Sequence, residues 1–233
     1  MRVRPISPDR LVEELTERLH AAAGELAPAV PPPSGAGSTA GSTDGGRLRV
    51  GLDGPPAAAP QRLAAALVDP LRALGRPVLH VRAEDFLRPA SIRYEHGRTN
   101  PDAYYEGWTD EAGLRREVLD PAGPGGSGRV LPSLWDAAAD RASRAGYVDL
   151  PPGGVLLVSG ALLLGGGLPF DVTVHLRLTP AALARRTDPE HRWALPAYQR
   201  YADEVAPESF ADVVVRADDP RHPALVEPDQ PAD

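Results

Sequence analysis

Apolar residues recur every four positions near the start of the chain, at Leu11, Leu15 and Leu19, with polar or charged residues filling most of the steps between them. That spacing lines the leucines along one helical face. Ser7-Pro8-Asp9 precedes them with a capping hydroxyl and a proline for the first helical position, so a short helix is predicted from there to about Ala23. The pattern then disappears. From Ala27 to Gly46 the chain is almost wholly Pro, Gly, Ser, Thr and Ala, the composition of a flexible linker.

A different rhythm begins at Arg47. Leu48–Leu52 reads as a strand ending at Asp53-Gly54, a helix follows from about Pro60 to Leu74, and Pro77–Val81 reads as a second strand. Val155–Val158 and Val172–Leu178 are short unbroken apolar runs, as expected of parallel strands buried on both faces. Thr179-Pro180 opens a helix through Arg186, Ala194–Val205 has helical spacing, and Val213–Val215 makes a last short strand. Strands alternating with helices predict an α/β fold. The expectation is a doubly wound parallel sheet of about five strands, preceded by a loosely attached N-terminal helix and a linker. The implied division is 1–26 helix, 27–46 linker, 47–219 main domain and 220–233 tail. Sheets of this kind bind ligands beyond the carboxyl ends of their strands, so the chemistry belongs in those loops.

Composition narrows that chemistry. All 25 basic side chains are arginine and there is no cysteine. Lysine Schiff bases, lysine phosphate clamps, thiolate nucleophiles, disulfides and Cys-ligated zinc are therefore excluded. A net charge of −7 argues against a nucleic-acid groove, which needs a basic stripe. The longest apolar run, Val155–Leu164, is too short to span a bilayer and contains Ser159 and Gly160. Met1 to Arg10 shows no apolar signal segment, and the expectation is a cytoplasmic protein without a membrane partner. The six histidines show no metal-ligand spacing, so no metal residue is assigned; oligomeric state is not legible.

The loop after the first strand of the main domain runs Asp53-Gly54-Pro55-Pro56-Ala57-Ala58-Ala59-Pro60-Gln61. A phosphate-binding loop here would read Gly, four residues, then Gly-Lys and Ser or Thr. Gly54 fits the first position, but Ala59, Pro60 and Gln61 stand at the other three. Such loops hold phosphate with backbone N–H groups, with lysine on the outer phosphates and a hydroxyl on Mg²⁺. Pro55, Pro56 and Pro60 have no N–H to offer.

Further segments appear in a telling order: Ala83-Glu84-Asp85-Phe86-Leu87-Arg88-Pro89, then Thr99-Asn100-Pro101-Asp102-Ala103-Tyr104-Tyr105, then Trp135-Asp136, then Arg185-Arg186. From Arg47 to Asp218 this order resembles the uridine kinase branch of the P-loop kinases, which carry a D-x-F or D-D-F-Y segment after the second strand and H-P-D-A-F soon after. It is most similar to the actinobacterial members with an eroded phosphate loop. The resemblance implies a P-loop kinase fold, with ATP and Mg²⁺ as cofactors of an active member and a nucleoside or nucleotide as the small-molecule partner. It aligns Asp85 with the carboxylate that takes the proton from a nucleoside 5′-hydroxyl, and Asp102 with the ligand of the ribose hydroxyls. Tyr104, Trp135 and Tyr94 become candidates for stacking on a base. Arg185, Arg186 and Arg192 fall where the family's lid brings arginines to phosphate, beside Gly54 of the loop.

This chain departs from the family pattern beyond the loop. Val158-Ser159-Gly160 has serine where the family has an acidic residue, and no histidine lies between Trp135 and Arg144. Two function classes follow. One is ATP-dependent phosphorylation of a pyrimidine nucleoside 5′-hydroxyl. The other is a catalytically inactive relative that serves as a nucleoside-, nucleotide- or protein-binding module.

Overall fold

The computed structural model describes residues 2–26 and 46–227. Residues 27–45 of the expected linker and 228–233 of the expected tail lie outside the described residues. The principal strands are β1 (Arg2–Pro5), β2 (Leu48–Asp53), β3 (Val78–Arg82), β4 (Val155–Gly160), β5 (Val172–Arg177), β6 (Val213–Arg216) and β7 (Ala224–Glu227). They form one seven-stranded sheet in the order β1-β7-β6-β5-β2-β4-β3. The five strands from β6 to β3 are parallel, as the apolar runs predict. Every residue of β2 and β4 is buried, because helices and irregular segments cover both faces of these central strands.

Two additions come from segments read as peripheral. β7 lies within the stretch taken as tail and pairs antiparallel with β6, while β1 pairs antiparallel with β7 at the edge. The N-terminal helix α1 (Pro8–Glu25) begins as predicted, with Ser7 Oγ accepting from the Arg10 N–H at 3.3 Å. It is not loosely held. Leu11, Leu15 and Leu19 are at most 5 % exposed and join Val50 and Leu52 of β2, and Leu67 and Leu71 of α2 (Pro60–Ala73), in one core. Burying each leucine is worth about 1.5–3 kcal/mol, enough to make α1 part of the domain.

A second core covers the opposite face of the sheet. There Phe86, Leu114, Val118 and Leu119, from the long excursion between β3 and β4, pack on Leu156 and Val158. The excursion contains α3 (Pro101–Gly107), and the chain after β5 adds α4 (Pro180–Arg186) and α5 (Leu195–Glu204). Among the described residues no helix is long and apolar enough to cross a membrane. β2 lies between β4 and β5, so the chain leaves the centre of the sheet in both directions. The carboxyl ends of these three strands converge at Asp53, Gly160 and Arg177, where such a sheet opens a crevice.

Candidate functional site

At that crevice stands a buried carboxylate. Asp53, the last residue of β2, has no solvent exposure. Its Oδ1 accepts the Leu163 N–H at 2.9 Å, and its Oδ2 accepts the Tyr201 O–H at 3.0 Å and lies 2.7 Å from His175 Nδ1. One side chain thus ties β2 to the loop after β4, to β5 and to α5. Burial first, then the Asp53 charge, push the Tyr201 hydroxyl far above its ordinary range, so it remains a donor. Ser159, equally buried at the end of β4, is paired with His80 of β3 (Oγ to Nε2, 2.8 Å).

The loop after β2 is a closed turn. Pro56–Ala58 form one turn of 3₁₀ helix, in which the Ala58 N–H bonds the Pro55 carbonyl at 2.7 Å and the Ala59 N–H bonds the Pro56 carbonyl at 2.9 Å. The Gly54 N–H donates to the Gly160 carbonyl at 3.0 Å. Glycine is required at 54 by close approach, since a Cβ there would sit 2.9 Å from the Leu176 carbonyl oxygen. Ala59 takes a left-handed conformation (φ 57°) to turn the chain into Pro60 of α2. With the three prolines, this leaves only Ala57 and Gln61 with backbone N–H groups free of the turn and helix. The donor set does not fit a triphosphate with its metal. Two isolated N–H groups replace a cradle, and Asp53 is consumed by three donors. Among the described residues no group of three or more His, Asp or Glu side chains is placed to hold a metal ion.

Beside the turn is an aromatic chamber of about 360 Å³, bordered by Pro56, Tyr104, Trp108, Arg186, Trp193 and Tyr198. Tyr104 comes from α3, whose start is fixed by Asn100. The Asn100 Oδ1 accepts the N–H groups of Asp102 and Ala103, each at 3.0 Å, which is capping chemistry with Pro101 at the first helical position. The rings meet edge to face: Tyr104 on Trp108 at 5.1 Å and 85°, and Tyr104 on Trp193 at 5.7 Å and 79°. The Tyr104 and Tyr198 hydroxyls share a 2.9 Å hydrogen bond. Trp108 Nε1 is buried without a partner among the described residues. An unpaired buried donor costs about 1–3 kcal/mol, so a ligand acceptor that reached it would recover part of that cost.

The residues singled out in the sequence divide. Tyr104 and Arg186 border the chamber, and Gly54 lies at the head of the turn beside it. Arg186 is also engaged elsewhere, donating to the Ala217 carbonyl. Arg185 and Arg192 are exposed and outside the chamber; Arg192 Nε bonds the Thr187 carbonyl at 3.3 Å. Tyr94 packs its edge on Trp108 at 5.6 Å and is flanked by the guanidinium groups of Arg93 and Arg98, but does not border the chamber. Trp135 belongs to a small hairpin and donates to Asp140 at 3.2 Å, also outside the chamber. Asp102 faces solvent and pairs with Arg200 at 3.2 Å; Arg200 also binds Glu106 and Glu204 at 2.8 Å each. That cluster braces α3 against α5.

Asp85 is held by Arg82, three residues earlier, through two hydrogen bonds of 3.0 and 2.7 Å. Its neighbour Glu84, an exposed residue, was not singled out; with Asp53, its charge helps raise both the Tyr104 and Tyr198 hydroxyls, whose main cause of elevation is burial. Lost hydration pushes the Glu84 carboxyl itself above the ordinary range. The folded state therefore prefers neutral Glu84. That preference contributes fully below the ordinary glutamate pKa and is lost as pH rises through the elevated one. In thermal melts, Glu84→Gln should match the wild type in acid and become progressively the more stable of the two towards neutral pH. Parallel melting curves at all pH values would contradict the assignment.

No protein-family model matches the chain, and no curated protein matches it. Solved structures do. A candidate uridine kinase from Bacillus stearothermophilus matches with 22 % identity and a TM-score of 0.59, over 86 % of this chain and 98 % of that one. A candidate fructose transport system kinase from Silicibacter matches with 24 % identity and a TM-score of 0.54, over 85 % and 98 %. A D-glycerate 3-kinase from Cryptococcus neoformans matches with 14 % identity and a TM-score of 0.52, over 84 % and 80 %. All three have P-loop kinase-like folds, and the α/β fold of this chain is of that kind.

Proposed function

We propose that this chain is a binding module built on a P-loop kinase-like fold, and that the aromatic chamber takes a nucleoside or a nucleoside-like ligand. The observation that carries the reading is the chamber itself. Four aromatic rings and a Trp108 N–H unpaired among the described residues stand beside a turn rich in proline, in which the Gly54, Ala58 and Ala59 N–H groups are already bonded to carbonyls. Aromatic walls with a few fixed polar groups suit a planar base, because every base has a π-face to stack and ring atoms that accept hydrogen bonds. The resemblance to uridine kinases puts pyrimidine nucleosides first among candidates. The turn argues for a ligand whose affinity owes nothing to a triphosphate.

Phosphoryl transfer from ATP–Mg²⁺ to the nucleoside 5′-hydroxyl is the second reading, favoured by the likeness in fold to a candidate uridine kinase; the raised proton affinity of the Glu84 carboxyl suits the part of proton acceptor. In that reading Glu84 takes the part that the resemblance implies for Asp85, which is occupied by Arg82. Calorimetric titrations with uridine, adenosine and ATP–Mg²⁺ distinguish the two. Uridine should bind, and ATP–Mg²⁺ should bind no more tightly than adenosine. ATP–Mg²⁺ binding at least tenfold tighter than adenosine, with turnover abolished by Glu84→Gln, would replace the first reading with the second.

A further inference from the structure

A second cavity, of about 270 Å³, lies under the carboxyl ends of β2 and β5 and shares Pro55 and Tyr198 with the aromatic chamber as a common wall. Its lining is mostly apolar, including Leu162, Leu176, Leu183 and Ala202. At its border Arg177 and Glu208 neutralise one another across 2.7 Å. The hydroxyls of Tyr198, Tyr201 and Ser209 also border it, but each is hydrogen-bonded to a protein group, to Tyr104, Asp53 and the Ala206 carbonyl respectively. His175 lines the cavity too and is only 6 % exposed.

The surroundings of Asp53 fix the Nδ1 side of the His175 ring. The Tyr201 hydroxyl oxygen accepts the Leu164 N–H at 3.0 Å, so its own proton goes to Asp53. The Leu163 N–H occupies the other carboxylate oxygen. A carboxylate serving as acceptor for those two donors also takes a proton from its third neighbour, which places the imidazole hydrogen on Nδ1. In the neutral imidazole, Nε2 then carries the lone pair. Among the described residues no group bonds Nε2. A fixed acceptor on a mostly apolar wall offers a hydrogen-bonding guest one oriented partner.

We propose that this cavity is a binding site for a small neutral apolar molecule bearing one hydroxyl group, an alcohol or a phenol, whose O–H donates to His175 Nε2. The size is sufficient, since an apolar protein cavity of about 150 Å³ already holds benzene. The site is independent of the nucleoside reading, because none of its recognition groups stacks on a base.

Phenol is the probe, with benzene as its counterpart lacking the donor. Binding is followed by calorimetry, and the imidazole nitrogens are followed by NMR in the full chain. Phenol should saturate, shift the His175 Nε2 resonance and bind about tenfold more tightly than benzene, the worth of one well-made hydrogen bond. Ala202→Leu narrows the cavity without touching the Asp53 network and should abolish both interactions. His175→Phe should erase the preference for phenol. If that variant fails to fold, the Ala202→Leu result and the Nε2 shift still decide. Equal affinity for phenol and benzene would overturn the proposal, as would an unmoved His175 on saturation. So would phenol displaced competitively by uridine, which would put it in the aromatic chamber, or no binding up to the solubility limit.

Discussion

Replacing Asp53 with alanine is expected to destabilise the fold by about 3–5 kcal/mol, the range found when one partner is removed from a buried hydrogen-bonded charge cluster. Three donors converge on this carboxylate from elements far apart in the chain: the Leu163 N–H, the Tyr201 hydroxyl and His175 Nδ1. Alanine leaves all three without their acceptor at a fully buried position at the end of β2. Asparagine keeps the volume and one acceptor oxygen, but its amide presents hydrogens where a donor already points. Histidine can answer that by shifting its proton to Nε2. Asp53→Asn should therefore cost less than alanine, by about 1–3 kcal/mol. Urea unfolding of the three proteins measures the ladder. An alanine variant within about 1 kcal/mol of the wild type would mean that the carboxylate is not the tie described here.

The second large effect concerns the ligand. Trp193→Ala should weaken uridine binding by about 5- to 150-fold, corresponding to the 1–3 kcal/mol that one aromatic stacking partner contributes to holding a base. Trp193 packs against both Tyr104 and Trp108, so its loss opens the wall of the chamber and removes a π-face. Tyr198→Phe keeps the ring and removes only the 2.9 Å bond to the Tyr104 hydroxyl, and should cost less than tenfold. Trp135→Ala provides the control, because Trp135 lies in a hairpin away from the chamber. Calorimetry on all three, beside melting temperatures to confirm folding, is the measurement. If Trp135→Ala weakens uridine as much as Trp193→Ala does, the ligand sits elsewhere.

The strands and helices of the parallel sheet were legible because their signals are local. The apolar runs at 155–158 and 172–178 announce strands buried on both faces, and Ser7 and Thr179 each precede a proline that starts a helix. The edge strands were not legible. Arg2–Pro5 is four residues long, and its partner, Ala224–Glu227, lies at the other end of the chain, so no local periodicity reveals either. The site divides in the same way. Tyr104 follows from a motif, whereas Trp193 and Tyr198 join it only through the packing of α3 on Pro189–Ala194 and on α5. Asp53 looks like any strand-ending carboxylate until His175, at a separation of 122 residues, is brought beside it. Asp85 and Asp102 show the converse. Arginines that no motif marks, Arg82 and Arg200, have already claimed their charges.

The pairing of β1 with β7 also sets an order of assembly. Arg4 reaches both Glu14 on α1 and Glu227 on β7, so the first strand is locked by a residue made more than two hundred positions later. Until synthesis delivers β7, β1 has no neighbour in the sheet. The register from Arg2 opposite Glu227 to Pro5 opposite Ala224 is thus among the most sequence-distant pairings in the protein, with a correspondingly large loop-closure cost. Deleting the last strand should consequently release the first from hydrogen-exchange protection while β2 and β4 remain protected, making the sheet's edge a separate and later cooperative unit than its centre.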